Sequence, residues 1–150
     1  MKKIVFISLL LIFGSLLAQN DAGLKKELNT SKSGLAVQGY DVVSYFSGTP
    51  TKGKSEFRLK FKEAVYYFSN EANKQKFKLN PSKYAPQYGG WCAYAMGDDG
   101  SKVAINPKTF KIINDELYLF YNKFGINTLN SWNKDEVNLK IGADEYWLLD

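Results

Sequence analysis

The chain contains two stretches in which apolar and polar residues alternate, and each stretch predicts a β-hairpin. Apolar and cationic residues alternate over residues 57–62, which is the period of a strand with one buried face. A short turn and an apolar strand over residues 65–68 follow. Residues 110–119 repeat the pattern around Asn114 and Asp115, which are turn-forming residues. We therefore expect two antiparallel hairpins.

Helical composition follows the first hairpin and returns at the end of the chain. Ser69 is placed to cap a helix over residues 70–79, and Pro81 ends that helix and opens a short further one. The tail over residues 126–150 has the composition of short helices and contains two of the three tryptophans. Two hairpins packed with several short helices predict an α+β fold in a single small domain.

The N-terminus has the pattern of a signal peptide over residues 1–18. Lys2 and Lys3 precede residues 4–17, of which 11 of 14 are apolar, and the small residue Ala18 ends the run. The run is shorter than the span of about 20 apolar residues that crosses a membrane, although an uncleaved anchor stays an alternative. We expect an exported protein, periplasmic or secreted, that meets the membrane only through this peptide during export.

The residues that follow the predicted signal peptide differ in composition from the rest of the chain. Residues 19–34 are polar and rich in Gly and Ser, which predicts a flexible tether that contains at most a turn of helix. The hydrophobic pattern begins near Leu35. The domain is therefore predicted to occupy residues 35–150 and to end in the tryptophan-containing helical tail.

Composition excludes several classes of function. The 150 residues include no His and a single Cys, so the chain has neither an internal disulfide nor the ligands of a Cys/His zinc cluster. Catalysis by a histidine triad is excluded for the same reason. The formal net charge is +5, but the lysines are spread along the chain instead of being gathered on one element. That distribution does not predict a nucleic-acid interface.

Three stretches carry a set of motifs, namely residues 39–46, 64–69 and 77–95, of which the last reads FKLNPSKYAPQYGGWCAYA. Together they resemble the YHS domain family, and in particular its exported bacterial members. In those members a signal peptide precedes one domain that ends in a tryptophan-containing tail. The resemblance covers residues 35–148 and implies that this chain is an exported protein of the YHS type.

The resemblance also implies where a metal site would lie. Metal-associated members of the family present one Cys near the start of the domain and a Cys-x3-Cys after the second strand. The corresponding positions of this chain are Ser44, Ser69 and Asn73, and the Tyr-His-Ser triplet that names the family falls on Phe57-Arg58-Leu59. Hydroxyl and amide side chains are poor substitutes for thiolates at a zinc or copper site. The resemblance therefore implies the fold without the family's metal site.

Cys92 and Met96 are the candidate soft ligands that this sequence does contain. Four residues apart on a helix, a thiolate and a thioether would share a face and suit Cu(I). The alternatives are that Cys92 is a small buried hydrophobe and Met96 fills a core, or that Cys92 forms an intermolecular disulfide. A free thiol in an exported protein is protected from oxidation by burial, which favours the first alternative.

Adjacent carboxylates are a second kind of candidate site, for acid–base catalysis or for cation binding. Asp98-Asp99 and Asp115-Glu116 are the candidate pairs for acid–base work or for a hard cation such as Ca2+. Both pairs stand in segments with turn composition, where Asp is favoured because it bonds to the backbone. Turn formation is therefore the preferred interpretation of both pairs.

The 23 aromatic residues are more than a domain of this size buries completely. Tyr40, Tyr88, Trp91 and Tyr94 stand near glycines and are the candidates for a ligand surface, whereas the core and its rim is the preferred interpretation of these four aromatic residues. The sequence thus predicts a non-enzymatic, exported YHS-type binding or accessory protein with a small-molecule or protein partner. The alternative is a periplasmic copper-handling or redox protein that uses Cys92 and Met96.

Overall fold

The structure is a computed structural model that describes residues 26–150. The predicted signal peptide and the first residues of the predicted tether lie outside the described residues. Within residues 26–150 no helix combines the length and the apolar character that a bilayer span requires.

The described residues form an α+β domain, as the sequence predicts, with five α-helices and eight strands that pair into four two-stranded antiparallel sheets. The strands are β1 (Tyr40–Asp41), β2 (Thr51–Lys52), β3 (Lys54–Phe61), β4 (Ala64–Phe68), β5 (Asn106–Ile113), β6 (Glu116–Phe120), β7 (Asn122–Lys123) and β8 (Ile126–Asn127). The helices are α1 (Glu71–Leu79), α2 (Pro81–Tyr84), α3 (Ala93–Asp99), α4 (Thr128–Trp132) and α5 (Glu136–Leu149). The four pairs are β1–β2, β3–β4, β5–β6 and β7–β8, so each pair joins two strands that are consecutive along the chain.

The two predicted hairpins are β3–β4 and β5–β6. In the second hairpin Ile113 pairs with Glu116, and the two residues between them, Asn114 and Asp115, have φ values of 50° and 63°. Left-handed backbone at both central residues is the geometry of the tight turn that matches the twist of two antiparallel strands. Asn and Asp adopt it more readily than other non-glycine residues. The turn residues therefore set the register of this hairpin.

Strand β6 lies between two clusters of buried side chains. Leu117 and Leu119 belong to the first cluster, whereas Tyr118 and Phe120 belong to the second. Successive side chains of a strand point to opposite faces, so one strand contributes to both cores. The first cluster is built by β3, β4 and α1 around the fully buried Phe77. The second is built by α3, α4 and α5 around the fully buried side chain of Trp132.

The start of α1 differs by one residue from the prediction, and this difference matters for the site. Asn70 is the N-cap, because its side-chain oxygen accepts a hydrogen bond of 2.8 Å from the backbone N–H of Asn73. The prediction that Ser69 caps the helix is wrong. Asn and Ser are about equally good caps, so the sequence does not decide between neighbours. Ser69 instead donates its hydroxyl to Asp41.

Part of the predicted tether packs against the domain. Leu28 contacts the first core cluster, and the backbone N–H of Asn29 donates to the carbonyl of Gly89 at 2.9 Å. The indole N–H of Trp91 donates to the carbonyl of Glu27 at the same distance. These contacts bury apolar surface and pair backbone groups, so residues 27–29 pack against the domain although they belong to the predicted tether.

Candidate functional site

A fully buried carboxylate lies where β1, the end of β4 and the start of α1 meet. Asp41 Oδ2 accepts three hydrogen bonds, from the Ser69 backbone N–H at 2.8 Å, the Ser69 hydroxyl at 2.7 Å and the Asn73 side-chain amide at 2.7 Å. Its Oδ1 accepts a fourth from the Val43 backbone N–H at 3.0 Å. All four donors are uncharged groups. They satisfy a carboxylate whose burial would otherwise cost several kcal/mol.

Ser44 joins the same cluster from the 3₁₀ turn that follows β1. Its hydroxyl donates to the backbone carbonyl of Asp41 at 2.6 Å and accepts from the backbone N–H of Thr51 at 2.9 Å. The structure therefore brings Ser44, Ser69 and Asn73 around one aspartate, although the last two lie far along the chain from the first. These are the three positions at which the YHS resemblance implies metal ligands. Here they form a hydrogen-bonded polar cluster, and among residues 26–150 no group of three or more His, Cys, Asp or Glu could hold a metal ion.

A cavity of about 290 Å³ lies over this cluster, and we call it the Asp41 pocket. Its polar lining consists of Ser44, Ser47, Thr51, Ser69, Asn73 and Lys76. Phe46 and Tyr84 line it as an aromatic wall, with ring centroids 5.1 Å apart and an interplanar angle of 82°. Because Asp41 is fully buried behind Ser69 and Asn73, it shapes the pocket without forming its surface.

No family model, curated protein or solved structure matches this chain. The YHS resemblance therefore stays a prediction from the sequence motifs. The geometry of the Asp41 pocket is what points to a site.

Cys92 and Met96 both lie in the interior but in different clusters. Cys92 is fully buried in the first cluster, and its sulfur accepts from the backbone N–H of Tyr121 at 3.3 Å and lies 3.4 Å from the Thr128 hydroxyl oxygen. Met96 packs with Trp132 in the second cluster. Cys92 is the N-cap of α3, and its carbonyl accepts a hydrogen bond from the backbone N–H of Met96 at 3.0 Å, but the two side chains pack in different clusters. The geometry agrees with the interpretation of Cys92 as a small buried hydrophobe.

The four aromatic candidates do not form one surface. Tyr88 is buried, and its hydroxyl donates a hydrogen bond of 2.8 Å to Asp144. The pKa of the Tyr88 phenol lies well above its ordinary value, mainly because of burial and secondly because of this hydrogen bond. Tyr40 lies under the ammonium of Lys52, 4.8 Å from the ring centroid. Trp91 is tied by its indole N–H to the segment before the first strand. Tyr94 contacts both core clusters. The predicted shared ligand surface is therefore not assembled.

Three residues of the two carboxylate pairs, Asp99, Asp115 and Glu116, lie in turns or accept local hydrogen bonds. Asp99 accepts hydrogen bonds from the hydroxyl and the backbone N–H of Ser101, and both lower the pKa of the Asp99 carboxyl. Asp115 occupies the tight turn between β5 and β6. Glu116 accepts from the Tyr118 hydroxyl at 2.6 Å. These contacts agree with turn formation as the preferred interpretation.

Sequence reasoning missed the Asp41 pocket because it assigned Asp41 only a local role. An aspartate that bonds to the backbone two residues later is a common turn element, and the bond to Val43 is of that kind. The other donors to Asp41 are Ser69 and Asn73, and the sequence signal for them was a hydroxyl and an amide four residues apart around the start of a helix. Ser69 lies before the N-cap Asn70, so helical spacing does not place the two side chains together, and their meeting depends on how β4 and α1 pack.

Proposed function

We propose that this protein is an exported, non-enzymatic binding protein of the YHS type, and that its ligand site is the Asp41 pocket. The observation that carries the proposal is the buried carboxylate of Asp41, which fixes Ser69 and Asn73 by three hydrogen bonds at the base of a polar cavity. A site whose polar groups are held in place before binding loses less conformational entropy when a ligand arrives. A cavity of about 290 Å³ suits a small molecule.

The position of the carboxylate supports binding in preference to acid–base catalysis. A general acid or base must come within hydrogen-bond distance of the substrate. Asp41 is fully buried, and its two oxygens are occupied by four donors from the protein. A ligand in the pocket would therefore meet Ser69 and Asn73 and not Asp41 itself.

Export is proposed from the N-terminal sequence alone. The first step of the test is to express the chain with its own N-terminus and to recover it outside the cytoplasm. We expect a mass that corresponds to a first residue at Gln19. Recovery of the chain only in the cytoplasm would contradict this half of the proposal.

Binding is tested by a fragment screen on the purified protein, with the amide signals of residues 43–51 and 69–76 followed by NMR. We expect a subset of small polar molecules to shift these signals. Ser47→Tyr places a ring across the exposed rim of the pocket and should abolish the shifts, whereas Ser55→Tyr, at an exposed serine of β3 outside the pocket, should not. Shifts that are absent throughout, or that Ser47→Tyr leaves unchanged, would contradict the proposal.

A further inference from the structure

Three hydroxyl groups of the residues that line the Asp41 pocket donate their hydrogens to the protein itself. Ser44 donates to the carbonyl of Asp41 at 2.6 Å, Ser47 donates to the carbonyl of Ser44 at 2.7 Å, and Thr51 donates to the carbonyl of Thr49 at 3.0 Å. A hydroxyl has a single hydrogen to donate. These three side chains therefore present only oxygen lone pairs to the cavity.

The same holds for Ser69 and Asn73, which also line the pocket. The Ser69 hydroxyl hydrogen is donated to Asp41. The Asn73 amide nitrogen has two hydrogens and makes two bonds, to Asp41 Oδ2 at 2.7 Å and to the Ser69 oxygen at 3.3 Å. Among the residues that the structure describes, none donates to Asn73 Oδ1. This oxygen joins those of Ser47 and Thr51 as an open acceptor.

Two donors remain for a ligand. They are the ammonium of Lys76 and the hydroxyl of Tyr84, two residues that line the pocket, and neither group has a hydrogen-bond partner within residues 26–150. Tyr84 also contributes its ring, with Phe46, to the aromatic wall. The pocket thus combines several acceptors, two donors and an apolar face.

We infer that the Asp41 pocket binds a carbohydrate of about one monosaccharide unit, an inference that rests on the proposed function. Sugar hydroxyls donate to the open acceptors and accept from Lys76 and Tyr84, because each hydroxyl does both. The C–H face of a sugar ring is apolar and packs against the rings of Phe46 and Tyr84. The cavity of about 290 Å³ lies just below the range of about 300–1,000 Å³ that is typical of ligand sites, which limits the ligand to a small one.

A small anion fits the same lining less well. Phosphate and carboxylate groups only accept hydrogen bonds at neutral pH and need several donors that converge on them. The hydroxyl and amide hydrogens of the lining are already donated to the protein, so Lys76 and Tyr84 would have to bind the anion alone. Its remaining oxygens would face the open acceptor oxygens of Ser47, Thr51 and Asn73. That arrangement is repulsive.

The test titrates glucose, galactose, mannose and N-acetylglucosamine into the purified protein, with inorganic phosphate, gluconate and ethanolamine as contrasting probes. Binding is measured by calorimetry and by the amide shifts of residues 43–51 and 69–76. We expect at least one of the neutral sugars to bind in the pocket and inorganic phosphate not to bind there. Tyr84→Phe removes one donor and should weaken sugar binding about 2–10-fold, the range for one hydrogen bond.

Ser47→Ala removes one acceptor and should weaken sugar binding to a similar extent, whereas Ser55→Ala is the matched control and should leave it unchanged. Sugar binding that is insensitive to both Tyr84→Phe and Ser47→Ala would overturn the inference. If phosphate, gluconate or ethanolamine shifts the pocket signals and no sugar does, the carbohydrate inference fails while the proposed binding function stands. If no probe and no fragment shifts them, both fail.

Discussion

Two carboxylates in this molecule each join three elements, and they do so in opposite ways. Asp41 joins β1, the end of β4 and α1 through uncharged donors, and it is fully buried. Glu136 joins β5, α4 and α5, because its Oε2 accepts from the Lys111 ammonium and from the indole N–H of Trp132 at 3.0 Å. The side chain of Glu136 is 32% exposed.

The difference between their donors supports our choice of the Asp41 region, and not the Glu136 region, as the proposed site. Lys111 supplies Glu136 with a cation, and its hydrogen bond holds the pKa of the Glu136 carboxyl below its ordinary value. A pair of this kind near the surface stabilises weakly and is screened by salt. Asp41 has no cation among its four donors, which is the more demanding way to keep a carboxylate buried. Two of its four donors are the side chains of Ser69 and Asn73, which line the Asp41 pocket, so the cost of burying this carboxylate goes with side chains that are held in place around a cavity.

The largest effect is expected for Asp41→Ala. The substitution leaves the backbone N–H and hydroxyl of Ser69 and the amide of Asn73 without their acceptor, and hydrogen bonds to charged groups contribute about 1.5–3 kcal/mol each. We expect the free energy of unfolding to fall by at least about 3 kcal/mol, since several such bonds are lost together. Urea unfolding followed by tryptophan fluorescence measures the change.

Two variants bracket this result. Asp98→Ala removes an exposed aspartate and should change the free energy of unfolding by no more than about 0.5 kcal/mol. Asp41→Asn keeps one acceptor oxygen and should fall between the two. If Asp41→Ala is no more destabilising than Asp98→Ala, the hydrogen bonds to Asp41 do not hold β1, β4 and α1 together.

Asp41 also shows how far the sequence predicts the site. The bond from Val43 to Asp41 joins residues two apart, so local turn chemistry predicts it. Ser69 and Asn73 are 28 and 32 residues away from Asp41. Contacts at that separation depend on how β4 and α1 pack, which hydrophobic periodicity does not specify. The turn was therefore predictable and the pocket was not.

The fold, like the site, has features that the sequence predicts and features that it does not. Both long hairpins were predictable because alternation and turn residues are local signals, as at Asn114 and Asp115. The separation into two cores was not, because residues 117–120 are all apolar and a continuous apolar run shows only that both faces of a strand are buried. Which cluster Cys92 and Met96 each join depends on that separation.

Cys92→Ala tests the buried thiol and should have a smaller effect than Asp41→Ala. The thiol accepts one long hydrogen bond from Tyr121, makes a second long contact with the Thr128 hydroxyl, and otherwise packs as a small apolar group. Its loss should therefore cost about 0.5–1.5 kcal/mol, similar to the deletion of one buried methyl. The Cys92 thiol should react with a labelling reagent only as fast as the protein opens. Met96→Leu conserves volume in the second core and is the matched control.

Copper loading separates the two interpretations of Cys92. We expect anaerobic addition of Cu(I) followed by desalting to leave no stoichiometric copper on the parent, because the two sulfurs lie in different clusters. One equivalent of copper on the parent that Cys92→Ala loses would support the metal-handling alternative.

Glu136→Gln should have the smallest effect and the clearest dependence on pH. At neutral pH and low salt we expect a loss of less than about 1 kcal/mol, and about 1 M salt should reduce it further. The pKa of folded Glu136 lies below its ordinary value of 4.5, so the parent's advantage is present above 4.5 and disappears as the pH falls through the lowered value. Urea midpoints of parent and variant, measured by tryptophan fluorescence from pH 7 downwards, should converge. Glu145→Gln, at an exposed glutamate of the same helix, is the matched control for the loss of a surface carboxylate. A gap for Glu136→Gln that persists in strong acid would mean that Lys111 and Trp132 do not act through the charge of Glu136.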